Sequence, residues 1–152
     1  MSLDMDKRSK VINLCPWAIS FTLPNSKAEV MLDAHKSTTI NNGELVTLAD
    51  NQDVMFYGTE NGDHARVYVD NKEFREYVGF DNLETKKTQY ILNDDEFHKL
   101  FDLKQEAAFE RNVKDKVIMN HEKHNIVEYA KKTKVNDFTR IKFLEEYTGL
   151  KF

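Results

Sequence analysis

The chain has 152 residues and a formal net charge of −4, from 22 Lys and Arg against 26 Asp and Glu; that balance excludes a general nucleic-acid coat protein, which needs a basic surplus. Hydrophobic residues make up 40% and charged residues 32%, which suits one ordinary domain, or a small β domain with a helical appendix, folded without staples. A single cysteine, Cys15, excludes an intrachain disulfide, and no apolar run approaches the roughly 18 residues that span a bilayer.

Residues 1–9 are polar and read as a flexible N-terminus. They lack the apolar run of a secretory signal, so a cytosolic protein without membrane attachment is expected. Strand character begins at Val11-Ile12-Asn13-Leu14, and Pro16 marks an edge or bulge because it has no amide hydrogen to donate. Trp17, Ile19, Phe21 and Leu23 alternate with Ala18, Ser20 and Thr22, the period of a strand with one buried face. Pro24-Asn25-Ser26-Lys27 is turn chemistry, and Glu29 to Leu32 completes a hairpin. Ser37 to Ile40 is a further β-branched run. Asn41 followed by Glu44 resembles a capping box and predicts a short helix from Glu44 to Ala49. Val54 to Tyr57 reads as a strand, paired through the Asn61-Gly62 turn with Ala65 to Val69. Asp70 with Glu73 opens a short helix through Phe74, Tyr77 and Val78, which Gly79 stops. Thr88 to Leu92 is the last candidate strand.

From Asn93 the period changes from two to about 3.6. Asn93 with Glu96 caps a helix carrying Phe97, Leu100 and Phe101. Phe109, Val113 and Val117 recur at every fourth residue, and Ile126, Val127 and Ala130 mark a third helix. Phe138, Ile141, Leu144 and Tyr147 predict the buried stripe of a fourth, capped by Asn136 or Asp137 and ended by Gly149. The expected organisation is a β-rich domain over 10–92 and a segment of about four short helices over 93–152, packed on that domain or on a partner. The class is α+β, with an antiparallel sandwich or barrel in front. Charge is uneven: residues 1–92 carry 10 basic and 14 acidic side chains, and residues 93–152 carry 12 of each.

Few constellations suggest chemistry. His121-Glu122-Lys123-His124 places two histidines three apart, whereas the metalloprotease pattern needs them four apart with the glutamate between; a solvated helix face is the expectation. Asp94-Asp95-Glu96 fits the positive end of a helix dipole. Cys15 reads as a small buried hydrophobe within a strand, since nothing in the spacing of His35, His64 or His98 makes any of them its base. The five glycines are isolated, so no phosphate-cradling loop is present. The strongest electrostatic feature is Lys131-Lys132-Thr133-Lys134 with Arg140 and Lys142, interleaved with Tyr129 and Phe143. Two helices with a lysine-rich connection resemble a helix-turn-helix, whose second helix would carry Arg140 and Lys142 towards phosphates. Trp17, Phe74, Tyr77 and Phe80, with Leu150 and Phe152 in the apolar tail, belong either to the core or to a partner surface.

A β-rich front half, then serial helices ending in Ile141, Leu144-Glu145-Glu146-Tyr147-Thr148-Gly149-Leu150, resembles small accessory proteins of tailed-bacteriophage virions. The likeness covers Val113 to Phe152 best. It implies a non-enzymatic structural protein without catalytic residues, cofactor or metal, docking on capsid or head–tail proteins and on copies of itself, in a virion assembled in host cytoplasm. Two alternatives stand beside it. One is a small nucleic-acid-binding regulator using Lys131, Lys132, Lys134, Arg140 and Lys142. The other is a phage-encoded inhibitor of a host protein acting through the aromatic surface.

Overall fold

The computed structural model describes residues 3–56, 65–82, 84 and 91–152. The protein is α+β, with antiparallel strands first and helices last. It divides into two compact units, residues 1–91 and 92–152.

In the first unit β1 (Arg8–Asn13) is the middle strand of a three-stranded antiparallel sheet. A second antiparallel pair joins β2 (Ile19–Thr22) to β3 (Glu29–Leu32), with Phe21 opposite Val30. β4 (Ser37–Asn41) lies on one side of β1, with Val11 opposite Thr38. The chain continues directly into α1 (Asn42–Asp50), and β5 (Val67–Asp70) covers the other side of β1, with Val11 opposite Val69. α2 (Lys72–Tyr77) follows. Val11, Ile40, Leu45, Phe56, Val67 and Phe74 form the centre of the core, each 2% exposed or less.

A buried side-chain amide joins the two sheets. Asn13, fully buried at the end of β1, donates from Nδ2 to the carbonyls of Trp17 (2.9 Å), Leu32 (3.3 Å) and Asp33 (3.0 Å). Its Oδ1 accepts from Cys15 N at 2.8 Å. These bonds tie the end of β1 to the chain entering β2 and to the end of β3, giving partners to buried carbonyls at the reversal.

Several expectations are corrected. β1 begins at Arg8 and Leu3 is buried in the core, both within the stretch read as a flexible N-terminus. Val54 to Phe56 forms a turn with Val54 60% exposed, and the strand expected to pair with it, now β5, pairs with β1 instead. The Asn61-Gly62 turn, Tyr57 and residues 88–90 lie outside the described residues, and Ile91-Leu92 is not strand. Cys15 sits in a bend after β1 rather than in a strand. Asn41 caps α1 through Gly43 N (2.8 Å), but Glu44 does not reach back to close the box. It spans to the turn before β3, where Oε2 accepts from Asn25 N (2.9 Å) and Oε1 from Ser26 N (2.7 Å). The cap of α2 is Asn71, which accepts from Glu73 N and Phe74 N, while Asp70 ends β5.

The second unit is α3 (Asp94–Phe101), α4 (Glu106–Lys116), α5 (Asn120–Lys132) and α6 (Phe138–Thr148). Asn93 caps α3 by accepting from Glu96 N at 3.0 Å. Aromatic rings run through the core: Phe101 meets Phe109 (5.1 Å) and Tyr129 (5.6 Å), and Phe143 meets Phe109 (6.0 Å) and Tyr147 (5.8 Å). Such pairs add about 0.5–1.5 kcal/mol each beyond their area. The expected stripe of α6 is shifted. Phe138 is 78% exposed, and the buried face is Arg140, Phe143 and Leu144. A repeat of three slips around a helix of 3.6 residues per turn, so a face led by position 140 replaces one led by position 138.

Two consequences are measurable. Burial pushes the Glu44 carboxyl up, but the Asn25 and Ser26 donors and nearby Lys27 outweigh it and hold it below its ordinary value of 4.5. A depressed carboxyl stabilises the fold above its unfolded value and loses that contribution as pH falls through the folded one. Urea midpoints are therefore expected to fall on acidification below about pH 4.5, with a shallower fall for Glu44→Gln. At the end of α6, Gly149 adopts φ +76° and donates to Glu145 O at 2.9 Å. Gly149→Ala is expected to remove about 1 kcal/mol from the stability of the helical unit, read as a lower urea midpoint of the helical circular-dichroism signal.

Candidate docking surfaces

Arg140, one of the five residues of the nucleic-acid reading, is buried. Its side chain is 7% exposed. Nε donates to Glu106 Oε1 at 3.0 Å, Nη1 to Phe101 O at 2.7 Å, and Nη2 to Leu103 O. Asp137 Oδ2 lies 3.6 Å away, and the guanidinium carbon sits 4.4 Å from the centroid of the Phe109 ring. The fork geometry of arginine suits this task, since it can serve two carbonyls and a carboxylate at once. Arg140 thus closes the α3–α4 connection onto α6 and is withdrawn from any phosphate.

The lysines are placed differently. Lys131, Lys132, Lys134 and Lys142 are all exposed. Lys132 pairs with Asp94 at the start of α3. Lys134 adopts φ +57° as the left-handed residue of a Schellman motif: Lys134 N donates to Lys131 O (3.1 Å) and Val135 N to Ala130 O (3.0 Å). This motif ends α5 and turns the chain sharply into the Asp137 cap, which accepts from Arg140 N. Lys123 over the Tyr147 ring, 5.1 Å from its centroid, shows that α5 and α6 run antiparallel. Phe138 begins α6 at this same turn, one helical turn before Lys142 on the same face. The Phe152 ring lies 6.0 Å from Lys131 Nζ and is 39% exposed. Leu150, by contrast, packs against the helical core. The exposure of Phe138 was missed because its apolar character placed it in the core stripe; its position immediately after the Asp137 cap was the available signal.

The His121 to His124 segment is not a solvated face. His121 is 3% and Glu122 2% exposed. Glu122 turns its Oε1 back to accept from Ile118 N (3.1 Å) and Met119 N (2.8 Å), so it holds the start of α5. From the other side Tyr147 donates its hydroxyl to Val117 O at 2.7 Å. Burial first, and Glu122 second, push the Tyr147 phenol above its ordinary value. Among the described residues no group of three or more His, Cys, Asp and Glu is arranged to hold a metal ion.

In the first unit Cys15 is buried, and burial pushes its thiol up to about 11 despite the opposing charge of Arg66. A thiol of that kind is a packing group rather than a nucleophile at neutral pH. His35 donates its backbone N–H to Cys15 O at 3.2 Å, His98 lies in the other unit, and His64 is outside the described residues. Phe74 and Phe80 are core residues with rings 6.1 Å apart, exposed by 0% and 3%, so neither anchors a partner. Trp17 is half-buried against the same core. Of this aromatic set only Tyr77 faces outward, at 49%, and Met31 on β3 is 75% exposed.

A polar groove of about 490 Å³ opens where β1, α1 and α2 begin, lined by Asp4, Lys7, Arg8, Asn42, Asn71 and Glu73 among others. Beneath it Ser9 donates to Asn42 Oδ1, Asn71 Nδ2 donates to Ser9 Oγ at 2.8 Å, and Asn42 Nδ2 donates to Asp4 O at 2.8 Å. Arg8 is held by Thr39, through Oγ1 (3.2 Å) and the carbonyl (2.7 Å). The groove mixes both signs of charge over a network that joins a strand to the starts of two helices.

No protein-family model, curated protein or solved structure matches the chain. No helix among the described residues is long and apolar enough to cross a membrane.

Removing the Arg140 guanidinium leaves two carbonyls and the Glu106 carboxylate to find other partners. Arg140→Ala is expected to destabilise the helical unit by about 3 kcal/mol, whereas Lys142→Ala on the exposed face is expected to change it by no more than about 0.5 kcal/mol. Paired urea titrations followed by circular dichroism compare the two.

Proposed function

We propose that this chain is a non-enzymatic structural protein of a bacteriophage virion that docks onto capsid or head–tail proteins and onto its own copies. One observation carries the reading: the side chains best suited to chemistry are spent on structure. Cys15 is a buried thiol raised to about 11, Glu122 caps α5, and Arg140 ties three chain segments together. Among its described residues the first unit also turns three large apolar side chains outward: Met31 at 75%, Val54 at 60% and Tyr77 at 49% exposure. Such side chains gain free energy when a partner removes them from water, about 25 cal/mol per Å² of apolar area, and tyrosine is enriched among residues that dominate interfaces. The two small sheets, joined through Asn13, are read as the halves of an open sandwich, with Met31 on β3, Val54 in a turn and Tyr77 on α2. Assembly would take place in the host cytoplasm.

The test is quantitative mass spectrometry of purified virions. The chain is expected at a fixed copy number per particle, and Met31→Ser with Tyr77→Ser is expected to lower incorporation about tenfold, the effect of about 1.4 kcal/mol, without changing the circular-dichroism spectrum. Its absence from purified particles overturns the proposal. Recovery only in complex with a host protein favours the inhibitor reading instead.

A further inference from the structure

The turn between α5 and α6 combines features that the docking proposal leaves unused. Phe138 is 78% exposed and Phe152 39%. Lys131, Lys134 and Lys142 are exposed as well; Lys134 and Lys142 flank Phe138 in sequence, Lys142 one helical turn beyond it, and Lys131 Nζ is 6.0 Å from the Phe152 ring centroid. Within the turn itself Asp137 is held by the Arg140 side chain and backbone and Asp94 pairs with Lys132; Glu128, Glu145 and Glu146 lie about one helical turn farther along α5 and α6, so the lysines outnumber the acids only at the tip.

We propose that this turn binds single-stranded nucleic acid, with Phe138 and Phe152 as stacking faces for bases and Lys131, Lys134 and Lys142 contacting phosphates. An exposed phenyl ring stacks on any base and needs no receiving pocket. Lysine is depleted from protein–protein interfaces, but it serves phosphates well as a point charge. A duplex is disfavoured because the exposed face of α6 runs Phe138, Thr139, Lys142, Glu146: laid in a major groove it would bring Glu146 to the phosphate walls and only Thr139 to a base edge. The site is therefore the end of the helix pair rather than its length. It differs from the helix-turn-helix expectation in both its residues and its ligand, since Arg140 is absent from it and two aromatic rings are added.

The experiment is fluorescence anisotropy of a labelled 20-nucleotide oligothymidylate titrated with the full-length protein across a salt series. Binding is expected at low salt, weakening with a log–log slope of about −2, as about three phosphate contacts on a single strand predict. Phe138→Ala is expected to weaken binding about tenfold. Lys131→Glu with Lys134→Glu and Lys142→Glu is expected to abolish it while the circular-dichroism spectrum is kept. No anisotropy change at low salt overturns the proposal, as does binding unaffected by these substitutions. Equal or tighter binding to a duplex of the same length, or displacement of the oligonucleotide by an oligoglutamate peptide at equal concentration, overturns it too, because either would show a ligand other than a single strand. Presence in or absence from virions bears on the docking proposal and leaves this result unchanged.

Discussion

A backbone carbonyl or amide taken out of water has to be given a partner, and this constraint shapes both halves of the molecule. Each half has chain junctions that its ladders and helices cannot satisfy. In the first, Asn13 donates to three carbonyls at the reversal between sheet and hairpin. In the second, Arg140 serves two carbonyls in the α3–α4 connection, and Glu122 with Tyr147 serves the α4–α5 junction from opposite sides. The apolar clusters supply the driving force. These few polar side chains select which of the packings available to such short elements is adopted, because a half-satisfied alternative would leave buried groups without partners.

The same constraint decides which groups remain for function. A histidine, a glutamate or an arginine in a sequence is chemically ambiguous, since it can titrate, ligate or brace. Here burial resolves much of the ambiguity towards bracing: His121 and Glu122 are nearly inaccessible, and the Arg140 fork is fully engaged. The outward features are simpler, a few large apolar side chains on the first unit and a lysine-rich turn with two aromatic rings on the second.

The parts of the fold legible in the sequence are those governed by local physics. Alternation at Ile19 and Phe21 marks a strand, Asn93 a helix start and Gly149 a helix end, each decided within a few residues. What was not legible depended on distant partners. Glu44 carries the signature of a capping box, yet its carboxylate is drawn to the Asn25–Ser26 turn. Val54 to Phe56 has strand composition, but β1 takes β5 as its neighbour and leaves that run as a turn. Arg140 looked like a surface cation because arginine is rarely buried unless paired, and its partners in the α3–α4 connection are 34 to 39 residues away in sequence. Phe138 looked like core because it is apolar.

The arrangement of α5 and α6 separates stability from display. The clamps that hold the helix pair to its neighbours, Glu122 and Tyr147, lie at one end, and the lysine-rich turn lies at the other. Apart from the left-handed position at Lys134, the Asp137 cap and the Lys132–Asp94 pair, the exposed side chains of that turn carry little of the structural load. Substitutions on the outward side chains of that turn therefore alter its charge and aromatic character with less effect on the interior than substitutions at the clamps.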